Sequence, residues 1–294
     1  MSGPPNPPPA GEAPRRPRVG VVIGSGSVKC AAALGLLKVL KREGIAVDLF
    51  VGCSGGSLYA AIMAIGHEPD LAEQMTRELW TKELTSRRNR VALLRAFVPF
   101  LKFPQRFGLV DDRLILQRLR TAFGDATFEQ TRVPLFLTAT DFGNGEQFVF
   151  RSGPIVDAVR SSIAIPYVFE PWPVGDRVFV DGFLSDPMPV GVAIKEGADV
   201  IVTMGFESPY QPRVTSLLKF AFQLSSITSN NLLRANFSFH NLAHHNEIIP
   251  IVPQFKERIG LFDTDRIPYV IEEGERATEL QLPYLRRLLG APKP

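Results

Sequence analysis

The chain has 294 residues, of which 45% are hydrophobic, and its 33 Lys and Arg against 30 Asp and Glu leave a net charge of +3. This length suits one large α/β domain or two small ones, and the composition is that of a globular protein with a sizeable core. Because the overall charge is nearly balanced, nothing in it indicates a nucleic-acid partner, and we expect none.

The first 17 residues contain seven prolines and no apolar stretch, so we expect a disordered tail there and no signal peptide. No run approaches the roughly 18 apolar residues that span a bilayer, so any membrane contact is expected to be peripheral. Cys30 and Cys53 are the only cysteines, and they form neither a disulfide framework nor a metal-binding pattern. We therefore predict a cytoplasmic protein with reduced thiols and with no metal or other cofactor.

The first ordered unit is predicted to be a strand, a glycine loop and a helix. Residues 19–23 form an apolar run typical of a strand buried in a mainly parallel sheet, and a helical pattern covers residues 28–42. The loop between them lacks the spacing of a dinucleotide fingerprint or a phosphate loop, and an oxyanion hole made by backbone N–H groups fits better. Lys29 in this loop either faces a nearby anion or is simply solvated. The candidate oxyanion residues are Gly24, Ser25, Gly26, Ser27 and Val28.

A second apolar run, over residues 47–51, stops abruptly at Gly52-Cys53-Ser54-Gly55-Gly56, and a helical pattern follows to Ile65. The Gly-x-Ser-x-Gly spacing fits a strand-turn-helix elbow, in which glycines at 52 and 56 allow the backbone to lift the serine hydroxyl clear. In a parallel sheet, two successive strands end at the same edge, where open α/β sheets place their ligands. We therefore expect Ser54 to face the glycine loop as a nucleophile.

The remaining chain continues to alternate strand and helix patterns, which predicts an α/β fold with a mainly parallel central sheet. Asp181-Gly182 ends a strand over residues 177–180, although an Asp-Gly pair by itself is usually only a turn. Pro250 places the strand over 247–252 at a sheet edge, and Pro283 predicts a break between the last two helices. Further helices are predicted over 68–84, 112–123, 154–162, 191–196, 214–245, 267–280 and 283–289, and further strands over 134–140, 145–150 and 199–204.

Residues 85–106 form a basic segment without Asp or Glu, in which phenylalanines and leucines are interleaved with cations. Such a pattern is typical of a surface that rests on anionic lipid headgroups, and a solvated basic cap with inward-facing phenylalanines is the alternative. We expect a membrane-interface segment. Its cations are Arg87, Arg88, Arg90, Arg95, Lys102 and Arg106.

Taken together and in order, these motifs resemble the patatin-like phospholipases, and the resemblance extends from about residue 18 to residue 289, within a predicted domain of residues 18–290. The matching features are the glycine loop with its cation, the Gly-x-Ser-x-Gly elbow and Asp181-Gly182, together with the stretches 161–171 and 186–190. Lys29 replaces the family's usual arginine, and Phe183 replaces a small residue. The resemblance implies a three-layer α/β/α fold, a serine acyl hydrolase acting on lipid acyl esters, and a Ser54–Asp181 dyad. Lys29, Gly52, Gly56 and Gly182 would then be supporting residues.

Two other interpretations stay open at this point. A Ser-His-Asp triad could draw only on His67, His240, His244 or His245, and Ser54 follows the second strand, earlier than in α/β-hydrolases. A catalytically weak or silent acyl-binding protein of the same fold is the other alternative, and the departures at Ser25, Lys29 and Phe183 would allow it.

Overall fold

The computed structural model describes residues 15–79, 81, 83, 107–208, 210–211, 213–243, 246–257, 259–260 and 263–290. The basic segment 85–106 with its six cations lies outside the described residues, as do His244 and His245. Of the predicted tail, only residues 15–17 are described. There, the Arg16 guanidinium donates hydrogen bonds of 2.6 and 2.8 Å to the Asp48 carboxylate.

Within the described residues, the strands form one eight-stranded sheet with both parallel and antiparallel pairs. The strands are β1 (Val19–Ile23), β2 (Leu49–Cys53), β3 (Leu135–Asp141), β4 (Gln147–Phe150), β5 (Trp172–Val174), β6 (Arg177–Asp181), β7 (Val200–Met204) and β8 (Glu247–Ile251). Their order is β5-β6-β3-β2-β1-β7-β8, with β4 paired to β3. Along the stretch β3-β2-β1-β7-β8, each strand is parallel to its neighbour. Strands β4 and β6 run antiparallel to β3. The sheet is therefore mainly parallel, and β8 lies at its edge as Pro250 predicts.

The register brings the ends of β2 and β6 together along one side of β3. Thr138 of β3 pairs with Cys53 on one side and with Val149 of β4 on the other, and Ala139 pairs with Asp181 and with Phe148 of β4. Because β4 pairs with one side of β3 at both of these positions, β2 and β6 must both pair with the other side of β3. Their carboxyl-terminal ends meet there. The residue that follows β2 is therefore next to the last residue of β6.

Helices cover both faces of the sheet, which gives three layers. They are α1 (Ala32–Arg42), α2 (Gly55–Ile65), α3 (Pro69–Leu79), α4 (Arg113–Phe123), α5 (Ile155–Ser162), α6 (Val190–Lys195), α7 (Leu217–Ala243) and α8 (Ile267–Leu288). Alternate residues of β1 enter different cores: Val21 packs in the larger core with α1, α2 and α8, while Val22 packs with α6. This is the period-two arrangement of a strand buried on both faces.

Helices α1 and α8 approach each other so closely that both use glycine at the contact. A Cβ atom on Gly35 would lie 2.2 Å from the Ile271 carbonyl oxygen, and one on Gly274 would lie 2.1 Å from the Ala32 carbonyl oxygen. Real side chains do not fit at such distances, so backbone packs directly on backbone. The helix near the end of the chain is thereby joined to the first helix.

Two sequence predictions differ from the observed elements, and one observed strand had no prediction. The helix predicted over 28–42 divides into a 3-10 turn, Ser27–Ala31, and α1. Pro283 does not end a helix, because buried Leu282 and Leu285 on either side of it hold α8 against the core. The short strand β5 was not predicted. Across the described residues, no helix is both long and apolar enough to cross a bilayer.

Candidate active site

Ser54 occupies the sharp turn between β2 and α2, with φ 54° and ψ −131°. This is a left-handed backbone that a residue with a side chain adopts only under strain, and such strain is concentrated at functional sites. The elbow also requires its glycines: a Cβ on Gly56 would lie 2.2 Å from the Ile23 carbonyl oxygen, and one on Gly52 would lie 2.6 Å from Ser57 Cα. The sequence pattern thus corresponds to a real steric requirement.

Three hydroxyl contacts hold this strained turn in place. The Ser54 amide donates to Ser162 Oγ at 2.8 Å, and Ser162 Oγ donates to the Thr138 carbonyl oxygen at 2.7 Å. Ser57 Oγ donates to the Ser54 carbonyl oxygen at 2.6 Å. Ser162 is completely buried on α5. Sequence reasoning included it in a family motif without giving it a role, and only the fold shows that its hydroxyl connects the elbow to β3.

Asp181 lies beside Ser54 because β2 and β6 meet end to end. Ser54 Oγ donates a hydrogen bond of 2.8 Å to Asp181 Oδ2, and the Phe183 amide donates to Asp181 Oδ1 at 3.1 Å. The carboxyl group has no exposed surface. Burial disfavours its charged form and raises its pKa from 3.8 to about 7, although the two hydrogen bonds oppose this shift. A carboxylate with such a pKa can accept a proton near neutral pH.

Gly182 and Phe183 complete this corner of the site. A Cβ on Gly182 would lie 2.6 Å from the Thr138 carbonyl oxygen and 2.9 Å from Cys53 Sγ, so glycine is required where β6 ends against β2. Phe183 belongs to the 3-10 turn Gly182–Leu184 and donates its amide to Asp181. This position therefore accepts a large residue, whose side chain lines the adjacent cleft.

The glycine loop lies against the elbow, but its amides differ in what they contact. The Gly24 amide donates to the Met204 carbonyl oxygen and the Ser25 amide to the Pro187 carbonyl oxygen, both at 2.8 Å. These two bonds fix the loop in the sheet and occupy those donors. Farther along, a Cβ on Gly55 would lie 2.9 Å from the Ser27 nitrogen, so the Ser27 backbone is adjacent to the elbow. Within the predicted oxyanion set, Ser27 is thus a residue whose backbone lies directly against the elbow.

A cleft of about 400 Å³ opens above Ser54. One wall is formed by the loop residues 25–27 and Lys29, and the other side is lined by Phe183 and by residues of α7 that include Phe222. Ile165 and Ile259 add apolar surface, and Glu207 and Asp263 contribute carboxylates. Apolar atoms make up most of the cleft surface, and many of the lining residues, including several serines, also carry polar groups.

A comparison with family models places residues 21–194 in the family described as patatin-like phospholipase. The chain belongs to this family. Among curated proteins, it is 30% identical over 188 residues to an uncharacterized NTE family protein of Mycobacterium tuberculosis, covering 64% of this chain and 49% of that protein. It is also 27% identical over 188 residues to the neuropathy target esterase of Drosophila melanogaster, covering 63% of this chain and 13% of that protein.

The match therefore spans about half the length of this mycobacterial relative and much less of the Drosophila one. Among solved structures, VipD from Legionella pneumophila has a TM-score of 0.50 at 13% identity, covering 92% of this chain and 67% of that one. At this identity, the similarity shows a shared fold. It extends over strands and helices beyond residue 194.

In this patatin-like site, Lys29 faces a backbone carbonyl and an aromatic ring. Its Nζ donates to the Glu207 carbonyl oxygen at 2.7 Å and lies 5.5 Å from the centroid of the Phe206 ring. Burial lowers the pKa of the amine. The sequence suggested that an anion near the loop could offset a cation in the first helical turn. The hydrogen-bond partner is a neutral carbonyl oxygen, and the Glu207 carboxylate is close enough to oppose the lowering of the amine's pKa.

Of the four candidate histidines, His67 and His240 belong to the described residues, and neither lines the cleft beside Ser54. His240 lies on α7 among Met188, Val190, Phe237 and Ile248, in the core between α7, α6 and the sheet. The hydroxyl of Ser54 instead contacts a carboxylate directly.

Proposed function

We propose that this chain is a serine acyl hydrolase that cleaves lipid acyl esters through a Ser54–Asp181 dyad. The observation that carries the proposal is the 2.8 Å hydrogen bond from Ser54 Oγ to a fully buried carboxyl group whose pKa is raised to about 7. Family membership and the mainly apolar cleft support a lipid ester as the substrate class. The domain would comprise residues 18–290, because α8 packs on α1.

The reaction begins when Asp181 Oδ2 takes the Ser54 proton while Oγ bonds to the ester carbonyl carbon. Backbone amides in residues 26–28 would stabilise the resulting oxyanion, and each such donor typically contributes about a hundredfold or more in rate. Collapse of the intermediate breaks the ester bond, and the leaving alkoxide takes the proton from Asp181 as it departs as an alcohol. Water then attacks the acyl-Ser54 ester and gives a proton to Asp181, and Asp181 passes this proton to Ser54 Oγ as the bond between Oγ and the acyl carbon breaks and the fatty acid is released.

The cleft suits the acyl part of such a substrate better than a charged group. Ile165, Phe183, Phe222 and Ile259 line it near Ser54, and apolar side chains contribute to binding in proportion to the apolar surface that they bury. We propose a cytoplasmic enzyme that contacts membranes peripherally. The six cations of residues 85–106 stay a prediction for that contact. We also propose that the reaction involves no metal, other cofactor or nucleic acid.

A fluorophosphonate probe tests the proposed nucleophile directly. Ser54 Oγ should attack the phosphorus and displace fluoride, so that mass spectrometry finds the adduct on the peptide that contains Ser54. Ser54→Ala should show no labelling, whereas Ser25→Ala, which removes another cleft hydroxyl, should still be labelled. If the folded wild-type protein is not labelled, the hydrolase proposal is wrong and the silent acyl-binding alternative is favoured.

Ser162 is proposed as a positioning residue, because its hydroxyl is the acceptor for the Ser54 amide. Ser162→Ala should lower kcat for a short-chain p-nitrophenyl ester about 10- to 100-fold with little change in KM, since the buried amide loses its partner and the elbow its position. Ser161→Ala is the matched control. Its hydroxyl donates within α5, to the Asp157 carbonyl oxygen at 2.7 Å, and kcat should be nearly unchanged. Equal losses in both variants would contradict the positioning role.

A further inference from the structure

Helix α7 has an inverted distribution of polar and apolar residues over residues 220–230. Its exposed side includes three large apolar side chains, Phe220, Leu224 and Ile227, which are 39–50% exposed. Its inner side buries Ser226, Ser229 and Asn230. A surface helix of a globular protein normally has the opposite arrangement. The spacing i, i+4, i+7 places the three apolar residues, which we name the outer apolar stripe, on one face of the helix.

The outer apolar stripe lies on a helix that forms part of the cleft wall. Phe222, Ser225 and Ser226 line the cleft, and at 100° per residue these positions face away from the stripe. Beyond residue 227 the outward face becomes polar, with Thr228, Asn231 and Arg234 exposed, among others. Phe239 is also exposed on α7, but at 100° per residue it lies roughly 90° around the helix from the stripe, so the stripe itself ends with the part of α7 that borders the cleft.

Along residues 210–246, which contain the outer apolar stripe, every charged residue is a cation, and of these Arg234 is paired with Glu207. The sequence from 210 to 246 contains Arg213, Lys219 and Arg234 but no Asp or Glu. Arg213 and Lys219 are exposed next to the beginning of the stripe. Apolar side chains flanked by cations without carboxylates suit a surface of anionic lipid, where the cations face headgroups and the apolar groups enter the acyl boundary.

We propose that the outer apolar stripe, with Arg213 and Lys219, docks this protein on an anionic lipid bilayer so that the cleft lies at the membrane surface. This inference rests on the proposed function in one respect, since docking would bring the cleft to the lipid esters that are its proposed substrates. A bilayer is favoured over a second copy of the chain because three half-exposed side chains fall well short of the roughly 800 Å² per partner that a stable interface buries. A bilayer needs no such complementary area.

The test is flotation of the full chain with vesicles of phosphatidylcholine, alone or with about 30 mol% phosphatidylglycerol. We expect wild type to bind the anionic vesicles and to release them as salt rises, because screening shortens the reach of the charges. The variant Phe220→Ser, Leu224→Ser, Ile227→Ser should bind at least about tenfold more weakly. The matched control is Leu71→Ser, Phe142→Ser, Leu280→Ser, whose three apolar side chains are 45–75% exposed on other elements. This control should bind as wild type does.

A second variant, Arg213→Glu with Lys219→Glu, should lose affinity for anionic vesicles only. All of these variants should hydrolyse a water-soluble short-chain ester at the wild-type rate, which also shows that they fold. The proposal is overturned if the wild-type protein does not bind anionic vesicles, or if the stripe variant binds them as tightly as the wild-type protein does. It is equally overturned if light scattering shows that the only effect of the three stripe substitutions is to convert a dimer of this chain into a monomer. Ser54→Ala should bind vesicles normally, so a failed hydrolase proposal would be distinguishable from a failed docking surface.

Discussion

Asp181→Asn is expected to lower kcat for ester hydrolysis at least about a thousandfold, the range that a lost general base produces. The amide has nearly the same shape as the carboxyl group and can still accept the Phe183 amide, so the corner between β2 and β6 should stay intact. What disappears is a group that can take the Ser54 proton across 2.8 Å. In wild type, kcat should rise with pH and level off above about 7, as Asp181 becomes ionised.

Steady-state rates against a short-chain ester, with circular dichroism to confirm folding, measure this effect. The control is a combined substitution of His240, His244 and His245 by Ala, which should leave most of the activity because the dyad needs no imidazole. If the histidine variant lost activity and Asp181→Asn kept it, the dyad would be wrong. A rate that does not change between pH 6 and 8 would contradict the role of burial in raising the pKa of Asp181.

The same substitution, Asp181→Asn, should stabilise the protein at pH 8. In the unfolded chain the carboxyl group has an ordinary pKa near 3.9, whereas in the folded protein the pKa is about 7. Between these values the unfolded state binds fewer protons than the folded state, so wild-type stability falls as pH rises from about 4 to 7. The difference corresponds to a cost on the order of 4 kcal/mol above pH 7, which the neutral amide avoids.

Thermal melts across pH 4 to 8 measure this difference. The melting temperature of Asp181→Asn should exceed that of wild type by about 5 to 10 °C at pH 8, and the difference should shrink steadily toward pH 4. Ser54→Ala keeps the buried carboxyl group, so its melting temperature should follow the wild-type pH trend. A constant difference at every pH would show that the amide acts through packing and not through the buried charge.

Much of the site could be predicted from the sequence because its parts are local. The buried runs before Gly24 and Ser54 read as neighbouring parallel strands, and their shared edge brings the loop and the elbow together. The pairing of Ser54 with Asp181, 127 residues later, came from the order of family motifs and from the position of each residue at a strand end. The spacing of residues did not reveal that β6 runs antiparallel and meets β2 head to head.

Other features depend on contacts that no local pattern encodes. The amides of Gly24 and Ser25 have the same glycine-loop signature as those of residues 26–28, and only the sheet shows that Met204 and Pro187 accept them. Pro283 has the usual signal for a helix end, but tertiary packing of its neighbours outweighs a local cost of about 3 kcal/mol. In the sequence, Ser162 resembles any other helical serine, and only the fold shows that its hydroxyl accepts a hydrogen bond from the Ser54 amide.

The glycine contact between α1 and α8 has a consequence for how this molecule assembles during synthesis. Gly35 and Gly274 are about 240 residues apart in the chain, and contacts of such long range form late because a large loop must close first. The face of α1 that packs on α8 therefore stays open to water while the chain emerges from the ribosome. Until α8 is made, the half that contains Ser54 exposes apolar surface that a chaperone could recognise.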